Sequence, residues 1–351
     1  MLRCKIIGAG SIGNHLAHAS RVMGWEVVVC DSSKESLRRM REEIYPSRYQ
    51  AWDKNIKLYS VEEVPKGGFD LILIGTPPDT HLSLAIEAVN ELPKAVLVEK
   101  PLCEPSMTGL DDLVINAQSK KVKIFTGYNH AVGRSFNKIR DIIYENRFGK
   151  ALTVDVEFRE HWGGIFNAHP WLRGPHDSYL GFWDRGGGAS GEHSHAIHLW
   201  QTIAHWIQAG KVKEVQASLD YVDDGESNYD QICSINLRSE KGLVGRIIQD
   251  VVTKPTRKWA RIQYSSGFIE WECGKPDGKD TVRWGEGEDF SQKEYEKNRP
   301  EDFIEELRHI SDTLDSGEYL KSPITLDKGI DAMLVIRAAH KSQKEKTNIF
   351  I

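Results

Sequence analysis

The sequence predicts an α/β protein with a doubly wound parallel sheet, followed by an α+β domain with a large open, mostly antiparallel sheet. Up to about residue 128, short apolar runs alternate with helical segments; after residue 150, strand-like segments alternate apolar and polar residues. The length of 351 residues suits two domains. We therefore place one domain at 1–128 and a second at 129–351. Helices near 301–316 and 326–343 are expected to pack back on one of them, with the first domain as a candidate.

Composition and charge narrow the function classes. Apolar residues make up 40% and charged residues 28%, as in ordinary globular proteins. A net charge of −5 argues against nucleic acid or a membrane surface as partner. No apolar run approaches the ~18–20 residues of a membrane-spanning helix, and the N-terminus does not resemble a signal peptide. The five cysteines are scattered without a CxxC pair, which indicates reduced thiols in a cytoplasmic protein.

A glycine-rich turn follows the first apolar strand, Cys4–Ile7. The stretch "GAGSIG" then leads into a helical segment, which is the G-x-G-x-x-G pattern in its strand–turn–helix setting. Gly8 permits a tight turn, Gly10 lets the backbone approach a pyrophosphate, and Gly13 allows close helix–strand packing. The free N–H groups of the helix start favour phosphates. The loop residues expected at a dinucleotide are Gly8, Gly10, Ser11, Ile12 and Gly13.

An acidic residue, Asp31, directly follows the second apolar strand, which spans residues 25–30. Asp31 stands 18 positions after Gly13, where the carboxylate that binds the adenosine ribose is expected. Such a carboxylate accepts from the ribose hydroxyls and repels a 2′-phosphate, which favours NAD over NADP. The alternative is a glycine turn followed by an incidental surface aspartate.

Further buried strands at 71–74, 95–98 and 122–128 end in polar or proline-containing segments. Ligands bind at the carboxyl ends of the strands of such sheets. The residues predicted to lie beside the cofactor there are Thr76, Pro77, His81, Glu99, Lys100 and Asn129.

Taken together, the motifs resemble the glucose–fructose oxidoreductase/inositol dehydrogenase (Gfo/Idh/MocA) family. The matching pieces stand in the family's order: GAGSIG, Asp31, "TPPDTH", "EKP" at 99–101, "GYNHAVGR" at 127–134, and the GGG block with its Glu and His. The resemblance implies a Rossmann domain, a second domain with an open sheet, and NAD(P)-dependent oxidation or reduction at a sugar or cyclitol carbon. It also implies homodimers or homotetramers that stack those sheets. The family's EKP lysine maps onto Lys100, which would polarise or protonate the reacting oxygen; the alternative is an exposed lysine in a turn.

The block "RGGGASGEHSHAIHLW" at 185–200 combines three glycines with Glu192, His195 and His198. We predict a helix from about 189 to 208, on which these three side chains share a face. The resemblance implies that His195 is a general acid/base, with Glu192 where the family places an aspartate. A metal site is the alternative, because Glu and His three residues apart is a metal-like spacing. The family transfers hydride without a metal, so none is expected.

The long segment between Glu160 and Gly188 is rich in tryptophan and histidine, a composition suited to a sugar site or to a structurally anchored loop. The predicted substrate contacts are Tyr128, Arg134, Glu160, His161, Arg173, Trp183, Glu192 and His195.

The function expected from these features is hydride transfer at a hydroxyl or keto carbon of a sugar, cyclitol or sugar acid, with Lys100 and His195 handling the proton. Three other functions stay open: a glycosidase that uses bound NAD transiently and retains it, a sugar- or nucleotide-sensing regulator of the same fold, and the reduction of a non-sugar carbonyl.

Overall fold

The computed structural model describes residues 1–274, 277–297 and 299–351. The chain forms two compact units. Segments Met1–Cys103, Met107–Asn129 and Arg299–Leu326 build the first. Segments Glu104–Ser106, His130–Asn298 and Asp327–Ile351 build the second.

The first unit contains a six-stranded parallel sheet with the strand order β3-β2-β1-β4-β5-β6. Its strands are β1 (Arg3–Ile7), β2 (Glu26–Asp31), β3 (Ile56–Ser60), β4 (Leu71–Ile74), β5 (Ala95–Val98) and β6 (Lys123–Thr126). Every residue of β4 and β5 is buried, as expected for central strands covered on both faces. The prediction of a doubly wound parallel sheet is confirmed.

Helices numbered along the chain flank this sheet. They are α1 (Ser11–Val22), α2 (Lys34–Arg39), α3 (Tyr45–Tyr49), α4 (His81–Asn90), α5 (Leu110–Lys120) and α10 (Glu301–Ser316). A π-helical turn, Met40–Ile44, joins α2 to α3. Helix α10 contacts α1, where the rings of Phe303 and His15 stack 4.9 Å apart. The C-terminal segment around α10 therefore belongs to the first unit.

The second unit is built on a nine-stranded sheet in the order β14-β13-β12-β11-β7-β10-β9-β8-β15. All neighbours are antiparallel except β7 and β10, so the expected open, mostly antiparallel sheet is confirmed. The strands are β7 (Ala151–Arg159), β8 (Val212–Asp223), β9 (Asn228–Ser239), β10 (Val244–Asp250), β11 (Arg257–Tyr264), β12 (Phe268–Cys273), β13 (Lys279–Glu286), β14 (Asp289–Glu296) and β15 (Ile349–Phe350).

The helices of this unit are α6 (Arg134–Glu145), α7 (Gly163–Asn167), α8 (Gly188–Glu192), α9 (His195–Trp206) and α11 (Leu326–Glu345). Val154, Val156 and Phe158 on β7 are buried on the face that carries α9, and Trp200 Nε1 of α9 donates to the Val154 carbonyl at 2.9 Å. The alternation of residues 151–159 predicts Leu152 on this buried face as well, but Leu152 is 49% exposed, because it lies at the start of the strand.

Two segments that the sequence predicts as single elements are each divided in two in the structure. The single helix expected from about 189 to 208 is two helices, α8 and α9, separated at His193 and Ser194. There the Ser194 N–H donates to the Gly191 carbonyl at 3.2 Å, three residues back, so the chain makes a tighter turn than an α-helix. The alternation of apolar and polar residues around 259–271 predicts one strand, but the segment is likewise two strands, β11 and β12.

The glycine-rich segment at 276–292 was expected to be a loop or hairpin. Strands β13 and β14 do form a hairpin there; Pro276 lies outside the described residues. In the part of the chain that the structure describes, no helix has the length and apolarity to cross a membrane.

Candidate active site

The glycine loop between β1 and α1 is shaped by close backbone contacts. Gly8 has φ +105°, a conformation that side chains other than glycine rarely adopt. A Cβ on Gly13 would lie 1.9 Å from the Gly8 carbonyl oxygen. A Cβ on Gly10, by contrast, would meet no protein atom within 4 Å. Packing of the protein therefore accounts for Gly8 and Gly13, whereas the bare backbone at Gly10 fits the close approach of a cofactor pyrophosphate.

Asp31 ends β2 beside this loop. Its Oδ2 accepts the Ala9 backbone N–H at 2.8 Å, and its Oδ1 accepts the Ser33 N–H at 2.8 Å. Each carboxylate oxygen has a further lone pair, which suits a ligand hydroxyl. The carboxylate is thus both a brace for the loop and an acceptor at the end of its strand.

The ends of β4 and β5 are joined by a buried histidine. His81 Nε2 lies 2.8 Å from the Thr76 carbonyl oxygen and Nδ1 lies 3.0 Å from the Pro101 carbonyl oxygen. Burial lowers the pKa of His81, and hydrogen bonds to the backbone carbonyls of Thr76 and Pro101 oppose this shift. These contacts fix the segments that carry Thr76, Pro77 and Lys100; direct contact of His81 with a cofactor stays a prediction.

Lys100 follows β5 and is partly exposed, while its neighbour Glu99 is buried. Glu99 lies so close to β6 that a Cβ on Gly127 would be 2.7 Å from its Oε2. Tyr128 is wholly buried and Asn129 partly exposed. All the predicted cofactor residues therefore stand at the carboxyl edge of one parallel sheet: Gly8, Gly10, Ser11, Ile12, Gly13, Asp31, Thr76, Pro77, His81, Glu99, Lys100 and Asn129.

In the second unit, His195 is the first residue of α9 and its ring lies in an aromatic cluster. The His130 ring meets it edge-on at 4.6 Å between centroids, with an 82° angle between planes. Phe158, near the end of β7, lies 6.1 Å away. Lys297 Nζ is 3.2 Å from His130 Nδ1, so that nitrogen accepts and does not donate. His195 thus lies beside the end of β7, with the polar ring of His130 as a neighbour. A histidine in such a position can exchange a proton with a bound ligand.

Glu160 stands beside the same strand end, just beyond β7. Its Oε2 is 2.6 Å from Lys258 Nζ, and that ammonium lies 5.9 Å from the centroid of the Phe158 ring. Glu160 is therefore connected to His195 through Lys258 and Phe158, and the role of both residues as substrate contacts stays a prediction.

Glu192 is the last residue of α8, and Tyr179 donates to its Oε2 at 3.5 Å. The break between α8 and α9 means that helical spacing no longer places Glu192 and His195 on one face. Two of the three glycines after Arg185 have a steric reason: a Cβ on Gly187 would lie 2.1 Å from the Tyr179 carbonyl oxygen, and one on Gly188 would lie 2.0 Å from Asp230 Oδ1.

A series of buried hydrogen bonds fixes the start of α8. Asp230 Oδ2 accepts the Ser190 N–H at 2.7 Å, and Oδ1 accepts the Ser190 hydroxyl at 3.1 Å. The hydroxyl is 3.0 Å from His340 Nε2, and His340 Nδ1 is 2.6 Å from the Tyr221 hydroxyl. Burial raises the pKa of Asp230 to about 7 and lowers that of His340 to about 4. This series of hydrogen bonds ties the glycine block to β8, β9 and α11.

Other predicted substrate residues have local partners. Arg173 is exposed and bonds Asp177 through Nε at 3.1 Å and Nη2 at 3.2 Å. Trp183 stacks on His340 at 4.5 Å, which makes it an anchor of the loop. Arg134 starts α6 and donates to the Glu296 carbonyl at 3.2 Å, and His161 Nδ1 accepts the Gly163 N–H at 2.9 Å. Among the predicted substrate residues in 160–185, Glu160 is connected to His195 through Lys258 and Phe158.

Sequence reasoning missed His130, Lys258 and Lys297 in this cluster. His130 lies inside the "GYNHAVGR" motif, so the motif was a usable signal. The two lysines stand in polar, strand-like segments and carried no signal. No group of three or more His, Cys, Asp or Glu side chains in residues 1–274, 277–297 and 299–351 is placed to hold a metal ion.

A six-stranded parallel sheet with this loop, and a second unit with a nine-stranded sheet, define the class of two-domain proteins with an NAD-binding Rossmann fold. Residues 2–128 match the family model described as "Oxidoreductase family, NAD-binding Rossmann fold", and residues 136–270 match the "GFO/IDH/MocA C-terminal domain". The chain belongs to the Gfo/Idh/MocA oxidoreductase family.

A curated relative, myo-inositol 2-dehydrogenase of Thermotoga maritima, is 25% identical over 161 residues, which is 45% of this chain and 46% of that protein. The match thus spans about half the length of the relative.

Solved structures share the fold. An oxidoreductase from Agrobacterium radiobacter, in complex with NAD+, L-tartaric acid and magnesium, has a TM-score of 0.77 at 16% identity and covers 99% of this chain and 98% of its own. The WlbA dehydrogenase from Bordetella pertussis, with NADH and UDP-GlcNAcA, has a TM-score of 0.72 at 19% identity, covering 100% and 98%. Aldose-aldose oxidoreductase from Caulobacter crescentus, with glycerol, has a TM-score of 0.75 at 16% identity, covering 100% and 99%.

Proposed function

We propose that the protein is an NAD-dependent oxidoreductase that transfers hydride at a hydroxyl or keto carbon of a sugar, cyclitol or sugar-acid derivative. The observation that carries this proposal is the meeting of the glycine loop, Asp31 and Lys100 at one edge of a single parallel sheet. Family membership supports the reaction class, since both halves of the chain match the family.

Asp31 supports NAD as the cofactor, with NADP disfavoured. Its carboxylate has lone pairs left for the adenosine ribose hydroxyls after bonding Ala9 and Ser33. A 2′-phosphate at this place would meet the carboxylate charge at short range. The glycine loop, with its open space over Gly10, would hold the pyrophosphate.

Proton handling is assigned to Lys100 and His195. When bound, NAD would supply the hydride acceptor. In the oxidising direction His195 takes the proton of the substrate hydroxyl while Lys100 stabilises the oxygen; in the reducing direction they return it. Glu192 is proposed to orient the substrate or His195.

The substrate class follows from the polar cluster around His195 and from the relatives. A myo-inositol dehydrogenase and sugar-related dehydrogenases are among the similar proteins. Hydroxyl-rich ligands match the donors and acceptors of Glu160, Lys258 and His130. Arg134 and Arg173 would suit a carboxylate on the substrate.

The open sheet supports a homodimer or homotetramer. Its uncovered face carries cross-strand ion pairs, Arg246–Asp155 at 3.2 Å and Arg257–Glu157 at 2.7 Å. A shallow cavity of about 480 Å³ lies on this face among β7 to β10 and Asn348. A cytoplasmic location remains proposed from the five buried thiols.

The test is absorbance at 340 nm with NAD or NADP and a panel of inositols, aldoses, uronic acids, amino sugars and the matching keto compounds. A change with one substrate, abolished in Lys100→Met and His195→Ala, is the expected result. Release of an aglycone without net NADH would favour the NAD-retaining glycosidase. Tight NAD binding with no turnover of any compound would favour the sensing protein.

A further inference from the structure

The connection between β2 and β3 brings an arginine onto the glycine loop. Arg48, in α3, donates from Nη1 to the Ser11 carbonyl at 2.9 Å and from Nη2 to the Ser11 hydroxyl at 2.8 Å. Ser11 is the first residue of α1 and lies inside the loop expected to bind the cofactor phosphates. The position of Arg48 is thus defined relative to that loop by two hydrogen bonds.

Aromatic contacts fix α3 against α1. Tyr49 stacks on His18 with centroids 3.7 Å apart and planes 3° apart, and its hydroxyl is 2.6 Å from His15 Nδ1. The Tyr45 hydroxyl lies 3.2 Å from His18 Nδ1. Arg48 stands between these two tyrosines, so its backbone is held in place before any ligand binds, which lowers the entropy lost on binding.

The charge of Arg48 lacks a carboxylate partner in the described part of the chain. Its neighbour along the same connection, Arg38, bonds Glu35, Glu42 and Glu43. Burial lowers the pKa of Arg48, Tyr49 opposes this shift, and the positive charge of Arg299 lowers the pKa by a smaller amount. The first turn of α1 contains no acidic residue. A half-buried guanidinium beside a second cation and a helix N-terminus is stabilised by an anion.

We propose that Arg48 binds the diphosphate of the dinucleotide cofactor, as a binding residue that the glycine motif does not include. Two of its five N–H groups stay on Ser11, and the others remain for phosphate oxygens. The inference rests on the proposed function, because it needs a dinucleotide at the loop.

The experiment measures dissociation constants of the intact protein for NADH by fluorescence, and for ADP-ribose and adenosine by competition. In Arg48→Gln, NADH and ADP-ribose should bind about 10- to 100-fold more weakly, the loss expected for a charge-assisted hydrogen bond, while adenosine changes less than about twofold. Arg48→Lys should lose less affinity for NADH and ADP-ribose than Arg48→Gln. Arg38→Gln is the control and should keep the native affinities, because neighbouring glutamates already neutralise the charge of Arg38. The loss in Arg48→Gln should shrink at high salt, because salt screens a charge contact.

Equal weakening of adenosine and ADP-ribose, a loss independent of salt, or a lower unfolding midpoint of ligand-free Arg48→Gln would show that Arg48 only braces the loop and would overturn the inference. Unchanged ADP-ribose binding in Arg48→Gln would overturn it as well, leaving the proposed function intact. A native protein that binds none of these dinucleotides would overturn both proposals.

Discussion

The carboxylate of Asp31 accepts the backbone N–H of Ala9 over 2.8 Å, and this bond ties the end of the second strand to the glycine loop. The same side chain is the proposed acceptor for the adenosine ribose. Under the proposed function, this one residue would couple the shape of the glycine loop to the choice of cofactor.

Replacing Asp31 should affect affinity and cofactor preference together. In Asp31→Ala, NADH should bind about 10- to 100-fold more weakly, because a charged acceptor is lost and the Ala9 N–H loses its partner. The affinity ratio should move toward NADPH, because the repelling charge is gone. Fluorescence titration with both cofactors measures this, and Glu35→Gln on α2 is the control. An unchanged NADH/NADPH ratio would contradict the assignment.

Alanine substitutions at two glycines of the same loop should have different effects, one on stability and the other on NADH binding. Gly13→Ala places a Cβ 1.9 Å from a carbonyl oxygen, so it should lower the thermal midpoint of the ligand-free protein. Gly10 has φ −74° and open space, so Gly10→Ala should keep that midpoint. It should nevertheless weaken NADH binding about tenfold, the equivalent of an overpacking cost of about 1–3 kcal/mol. Calorimetry and titration of the two variants check this contrast; normal NADH affinity in Gly10→Ala would argue against a pyrophosphate at that position.

The buried Asp230 should make stability depend on pH. Burial raises its pKa from 3.8 to about 7, so the folded state holds the proton more tightly than the unfolded chain. Its contribution is therefore present at low pH and is lost as pH rises from about 4 to about 7, at up to about 1.4 kcal/mol per pH unit.

Asp230→Asn removes this titration. The difference in free energy of unfolding between Asp230→Asn and the native protein should therefore increase in favour of the variant as pH rises through this window, and should stay constant above it. Urea unfolding between pH 4 and 8 measures the difference, with the exposed Asp220→Asn as control. Parallel curves for native protein and Asp230→Asn would show that the carboxyl titrates normally.

The uncovered sheet face should be an interface between copies. Arg246 is exposed there and pairs with Asp155 across β7 and β10. Arg246→Glu places like charges opposite each other and should shift the protein toward monomer without unfolding it. Light scattering coupled to size exclusion measures the mass, with Lys293→Glu on β14 as control. A native protein that is monomeric at micromolar concentration would refute this arrangement.

Local sequence patterns were sufficient to predict the parallel sheet of the first unit. Apolar runs such as 71–74 and 95–98 coincide with β4 and β5, because strands buried on both faces are continuous in the sequence. The glycine spacing and Asp31 also follow from local geometry. They place every predicted cofactor residue at the same sheet edge.

Features set by distant contacts were missed. The turn between α8 and α9 occurs next to a helix anchored by Asp230, forty residues away in sequence. Helix α3, which positions Arg48, is held by ring contacts with α1 and has no periodic pattern of its own over its five residues. Trp183 stays a predicted substrate contact, and the ring that it stacks on, His340, comes from the far end of the chain, which no local pattern indicates.

The central claim is that Lys100 and His195 move the proton in hydride transfer, and the most direct test separates turnover from cofactor binding. With the best substrate of the 340 nm screen, kcat and the NADH dissociation constant are measured for Lys100→Met and His195→Ala. His205→Ala, an exposed histidine on the same helix α9, is the control.

We predict that His195→Ala loses kcat by about 100-fold or more, the usual contribution of a general acid/base, while NADH binds within about threefold of native and His205→Ala is unaffected. Lys100→Met should lose kcat to a similar extent. Native kcat in His195→Ala would contradict the account and move the acid/base to another group.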